Sequence, residues 1–72
     1  MLFSYNVLTT ATYDGNIYTN VITVNAEKSQ YAIQRAASYS PYNLKWYNAK
    51  TGKEANNVDV EYFNIISYEV MQ

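Results

Sequence analysis

Four aromatic side chains fall within nine positions of this chain: Tyr39, Tyr42, Trp46 and Tyr47. The chemistry they offer is contact. Tyrosine and tryptophan bring large area at low entropic cost and keep a polar handle, which is why interfaces favour them. Arg35 precedes the cluster and Lys45 lies inside it, so two cations accompany the rings. Period-two alternation over residues 43–48 puts Leu44 and Trp46 on one face, and Lys45 and Tyr47 on the other. We therefore expect Trp46 to fill the core beneath a helix of small residues. Tyr39, Tyr42, Tyr47, Arg35 and Lys45 are then expected to form an exposed binding surface.

Other chemistries find little to work with. The chain has no His and no Cys, so zinc and the softer transition metals lack their usual ligands. Asp59 and Glu61 flank Val60 and would project from one strand face about 7 Å apart, a spacing that suits a solvated face. No loop gathers the several oxygen ligands around a turn-forming glycine that calcium needs. Serines at 4, 29, 38, 40 and 67 sit in no glycine-bracketed elbow, and no imidazole can serve them as base. Two glycines cannot build a phosphate cradle. Paired carboxylates such as Glu61 and Glu69 could serve glycoside chemistry, but so small a chain lacks walls to enclose a sugar. The expectation is a non-enzyme with no catalytic residues, no metal and no cofactor.

Length and composition agree with that direction. The 72 residues support one domain, residues 1–72, read as a whole small gene product from Met1. Apolar residues make up 49%, too many for a disordered chain. Charged residues are only 15%, below the usual quarter, and nine Tyr and nine Asn take up the polar role. An uncharged polar surface costs less to desolvate than an ionic one. The net charge of −1 lacks the basic excess that phosphate binding requires. No run of 18 apolar residues and no signal-peptide pattern occurs, so no membrane span is expected and a cytoplasmic location is.

The elements that must position the aromatic cluster are legible in turn. Asp14-Gly15 joins two β-rich runs and signals a type I′ hairpin, because that turn needs positive φ at both central residues. The two-residue loop pairs Tyr13 with Asn16, Ala11 with Tyr18, Val7 with Ile22 and Tyr5 with Val24. Tyr5, Val7, Ala11, Tyr18, Ile22 and Val24, with Phe3, form the heavier face and should point to the core, while Leu8, Thr10, Thr19 and Val21 point away. Asn25 is a helix N-cap candidate, with Glu27 in the first turn. Ser29, Ala32, Ile33, Ala36 and Ala37 then form one stripe, and Pro41 ends the helix near Ser38 or Tyr39. A strand over residues 43–48, a polar loop over 49–57 and a strand over 58–70 follow. Phe63 and Ile65 interrupt the last alternation, which implies a bulge or a strand covered on both faces and therefore central.

The order is hairpin, helix, hairpin: an α+β, ββαββ chain with a four-stranded mixed sheet and one helix across a face. With first and last strands side by side and parallel, this element order resembles the β-grasp architecture of the immunoglobulin-binding domains of protein G and of ubiquitin-like folds. The resemblance lies in element order, with no motif residues matched, and it carries no function. The function expected is a non-catalytic protein–protein interaction module, binding a foreign protein or a second copy as a homodimer through a sheet edge or the Tyr-rich face. The second strand, rich in Asn and Thr with no Lys or Pro, is poorly defended as an edge and can pair with a partner strand. Size and AT-leaning composition suit an accessory or inhibitor product of a phage or mobile element that binds a host protein. Two alternatives stand beside it. One is a single-stranded nucleic-acid binder using Tyr42, Trp46 and Tyr47, disfavoured by charge. The other is a structural subunit of a homo-oligomeric assembly.

Overall fold

The computed structural model describes residues 1–55 and 59–71; Val58, the first residue of the strand expected over 58–70, lies outside them. The elements are β1 (Phe3–Tyr13), β2 (Asn16–Ala26), α1 (Ser29–Ala37), a 3-10 turn (Pro41–Asn43), β3 (Tyr47–Asn48) and β4 (Asn64–Met71). They make a small α+β protein with one four-stranded sheet in the order β3-β2-β1-β4. Among the described residues no helix is long and apolar enough to cross a membrane.

The first hairpin follows the residues' own preferences. Asp14 and Gly15 hold φ of 51° and 78°, as a type I′ turn demands. Tyr13 pairs with Asn16, and the register runs back through Ala11–Tyr18, Val7–Ile22 and Tyr5–Val24. Tyr5, Val7, Ala11, Tyr18, Ile22 and Val24 are buried, whereas Val21 on the opposite face is exposed and Leu8 half-buried. Phe3 departs from the expectation at 42% exposed. Among the described residues its only strand partner is Ala26, one step beyond the Ser4–Met71 pair.

The helix starts later than Asn25. That residue stays in β2, paired with Ser4, and its side chain accepts the Ser4 hydroxyl at 2.8 Å. Strand pairing outweighs capping here. The N-cap position falls to Lys28 without a side-chain cap, and Glu27 precedes the first turn. The helix ends at Ala37, with Ser38 as its C-cap, just short of the expected end near Ser38 or Tyr39, and it buries Ala32 and Ala36. Small residues let it lie close over β2.

Length decides how the rest of the face is covered. A nine-residue helix spans about 14 Å, against about 37 Å for an eleven-residue strand. One cluster lies beneath the helix: Tyr5, Val7, Ile22, Val24, Ala26, Ala32 and Ala36. The second lies nearer the hairpin tip: Ala11, Tyr18, Trp46 and Val60, with Phe63 against Trp46 at 5.9 Å between rings. Leu44 and Phe63 touch both clusters and join them. Each full burial of a side chain of valine or isoleucine size is worth roughly 1.5–3 kcal/mol.

This coverage corrects the expected mixed sheet. β4 does lie beside β1, but antiparallel to it, from Ser4–Met71 to Thr10–Asn64. The parallel central pair of a β-grasp is therefore not what this chain forms. Because β3 joins β2 near the hairpin tip and Val60 and Phe63 pack there with Trp46, the chain enters β4 at the tip end and runs back down. The expected bulge is present, between Leu8 and Thr9 on β1, where Ile66 is the extra residue on β4. The strand itself is an edge and not central: seven of its eight residues are exposed.

Candidate functional site

The expected strand over residues 43–48 shrinks to Tyr47–Asn48, yet its alternation survives. Trp46 is 3% exposed, while Lys45 and Tyr47 are exposed. Pro41 starts a 3-10 turn whose carbonyl accepts the Trp46 indole N–H at 3.1 Å, so the ring is buried with its one donor satisfied. Beyond β3 the chain turns through Gly52, at φ 73°, and returns along it. Asn48 N donates to the Lys53 carbonyl, Ala55 N to that of Trp46, and Glu54 bridges Tyr47. The Asn48 carboxamide holds this turn by accepting from the amides of Lys50 and Thr51.

β3 covers little of its neighbour. It pairs only with Tyr18 and Thr19, although β2 runs on to Ala26. The cause is Asn20. Its side-chain amide donates to the carbonyl of Lys45, the residue that would face Val21 if the ladder continued. A side chain has taken the place of a backbone bond, and the strand stops. Asn20 is 8% exposed, and its Oδ1 meets no hydrogen-bond donor among the described residues. Thr9, fully buried beside it, donates to the Asn20 carbonyl at 3.1 Å.

The direction of the β2 peptide groups follows from two bonds. The Ile17 carbonyl accepts from Ala49, and the Asn25 carbonyl from the Arg35 guanidinium, both on the side away from β1. Peptide groups alternate along an antiparallel strand. Thr19, Val21 and Thr23 therefore aim their N–H and C=O the same way. Among the described residues, no backbone group meets Val21 or Thr23 on that side.

Two open hollows lie end to end along this edge. One, about 460 Å³, is lined by Thr19, Asn20, Val21, Leu44, Lys45 and Tyr47. The other, about 470 Å³, is lined by Thr23, Val24, Asn25, Arg35, Ser38 and Tyr39. Four of the five residues singled out in the sequence thus flank the edge in pairs: Lys45 with Tyr47, and Arg35 with Tyr39. Tyr42, 65% exposed on the 3-10 turn, lines neither hollow. A third hollow of about 380 Å³ lies past Tyr39, between Pro41 and residues 61–65.

Sequence reasoning singled out the second strand as a weakly defended edge but missed Asn20, which keeps part of that edge open. The signal for Asn20 was available, since it shares the parity of Tyr18 and Ile22 and so must face the core. What it would bond was not readable, because Lys45 is 25 residues away. No known protein family, curated protein or solved structure matches this chain.

Proposed function

We propose that this protein is a non-catalytic interaction module that takes an extended segment of a partner protein as an added strand along the open edge of β2. The supporting observation is the early end of β3, which leaves the outward peptide groups of Val21 and Thr23 without a strand between two hollows. In strand addition the backbone bonds supply affinity, and pockets for alternate side chains supply selectivity. Tyr47 and Leu44 border one pocket, Tyr39 and the aliphatic stem of Arg35 the other. Lys45 and Arg35 favour a segment carrying acidic residues. A host protein engaged by an accessory product of a phage or mobile element fits the chain's size and composition.

The nucleic-acid alternative loses one of its three stacking platforms, because Trp46 is buried. Affinity capture of the tagged protein from lysate, with and without nuclease, tests the choice. A stoichiometric protein that survives nuclease, and that Val21→Pro and Tyr39→Ala release, is the expected result. Val21 aims its N–H outward, so proline there removes a free donor and no bond to β1. Capture that nuclease abolishes, or that both variants retain, refutes the reading.

A further inference from the structure

The opposite edge of the sheet belongs to β4, and it differs from the β2 edge in kind. Among the described residues, no strand lies beyond it. Tyr68 and Val70 face the same side of the sheet as the buried Tyr5 and Val7, yet each is 46% exposed. The Tyr68 ring meets Tyr5 edge-on at 6.1 Å, which leaves its other side open. Ile66 and Met71 are exposed as well. The strand carries no lysine, no proline and no inward-pointing charge, the devices that protect natural edges.

The peptide directions can be followed across the sheet. Even-numbered β2 residues face β1, and their odd-numbered partners on β1 face back. The even-numbered β1 residues Ser4, Asn6 and Leu8 therefore face β4, where they meet Met71, Glu69 and Ser67. The residues between, Tyr68 and Val70, aim N–H and C=O outward. Such a row of alternating outward groups is a ready template for another strand.

We propose that this strand is the β4 of a second copy, paired antiparallel about a two-fold axis at Tyr68. In such an isologous contact the pairing is reciprocal. The axis at Tyr68 sets Val70 opposite the partner's Ile66 and Glu69 opposite the partner's Ser67. Apolar residues meet apolar ones, each carboxylate meets a hydroxyl, and the outward peptide groups of Tyr68 meet their own kind. An axis at Glu69 would set two carboxylates face to face, and one at Ser67 would set Glu69 against Ile65. The charge on the strand thus selects the register. Eight edge residues are fewer than the roughly 20–30 per side of a standard interface, so the dimer exchanges reversibly with the monomer. The product is a continuous eight-stranded sheet with both β2 edges left free.

Sedimentation equilibrium over a wide concentration range tests this. The wild type should rise from 8.3 kDa toward twice that mass and stop there. Val70→Pro removes an outward donor and should weaken association by at least about tenfold. Because the chain lacks cysteine, Tyr68→Cys gives a second readout. Facing residues of such a pair lie about 5.5 Å apart at Cα, within disulfide range. Oxidation should therefore yield a covalent dimer, whereas Thr12→Cys should not. A wild type that stays at 8.3 kDa near millimolar concentration overturns the proposal. So does mass that grows beyond a dimer, which would mean β4 meeting β2 in open chains, and so does equal cross-linking at both cysteines.

Discussion

Asn20 binds the carbonyl of Lys45 through its side-chain amide, across 25 residues of chain, and this bond ends the β2–β3 ladder after Thr19. One side chain thereby does two things. It anchors the segment that carries Lys45 and Tyr47, and it keeps that segment from covering the rest of the β2 edge.

Replacing Asn20 by alanine should therefore separate stability from binding. The variant loses one hydrogen bond but also removes a buried acceptor that has no partner among the described residues. Urea denaturation should show a loss of only about 1 kcal/mol. Partner binding should fall much further, because the wall bearing Lys45 and Tyr47 is no longer held. Equal loss in both measurements would show that Asn20 serves packing alone.

Trp46 and Tyr42 lie four residues apart and should respond in opposite ways. Trp46→Ala empties the second core cluster and should cost about 3–5 kcal/mol, enough to unfold much of a chain this small. Tyr42→Ala should stay within about 0.5 kcal/mol in thermal or urea denaturation, since its side chain stands on the surface.

Gly15 offers open space to an added Cβ, so only its positive φ resists substitution. Gly15→Ala should destabilise by about 1–2 kcal/mol, the cost of left-handed backbone. For a domain of this size, each kcal/mol lowers Tm by about 4–8 °C, a shift that circular dichroism resolves. A far larger drop would mean that the hairpin register itself had slipped.

Salt separates a peptide partner from a nucleic acid at the same edge. With two cations flanking the hollows, peptide affinity should change only a few-fold between ~50 and ~200 mM salt, against roughly a thousandfold or more for a ligand held by many phosphates. Titration calorimetry or fluorescence anisotropy at the two salt levels reads the difference.

The hairpin was legible because every local signal agreed: positive-φ turn residues, period-two patterning and one heavier face. The same alternation placed Trp46 inside and Tyr47 outside. What sequence could not supply was decided by distant contacts. Asn25 has the chemistry of a cap but is held in the ladder by Ser4. The direction of β4 depends on a helix too short for the strands it covers, so that Trp46, Val60 and Phe63 draw the chain to the hairpin tip. Four of the five expected site residues come to one edge, but in two hollows and not one patch. The backbone between them is the β2 edge, which its Asn and Thr content, without Lys or Pro, marks as weakly defended; that β3 would cover only its tip end depends on the distant Asn20–Lys45 bond.

The central claim, strand addition at the β2 edge, is tested most directly by amide hydrogen exchange. Extended peptides would first be selected from a random library on the wild-type protein. With a selected peptide bound, the amides of Val21 and Thr23 should slow by at least about a hundredfold, and Val21→Pro should lose the binding. Protection confined to β4, or to the hollow between Pro41 and Ile65, with Val21 and Thr23 exchanging as freely as before, would contradict the account.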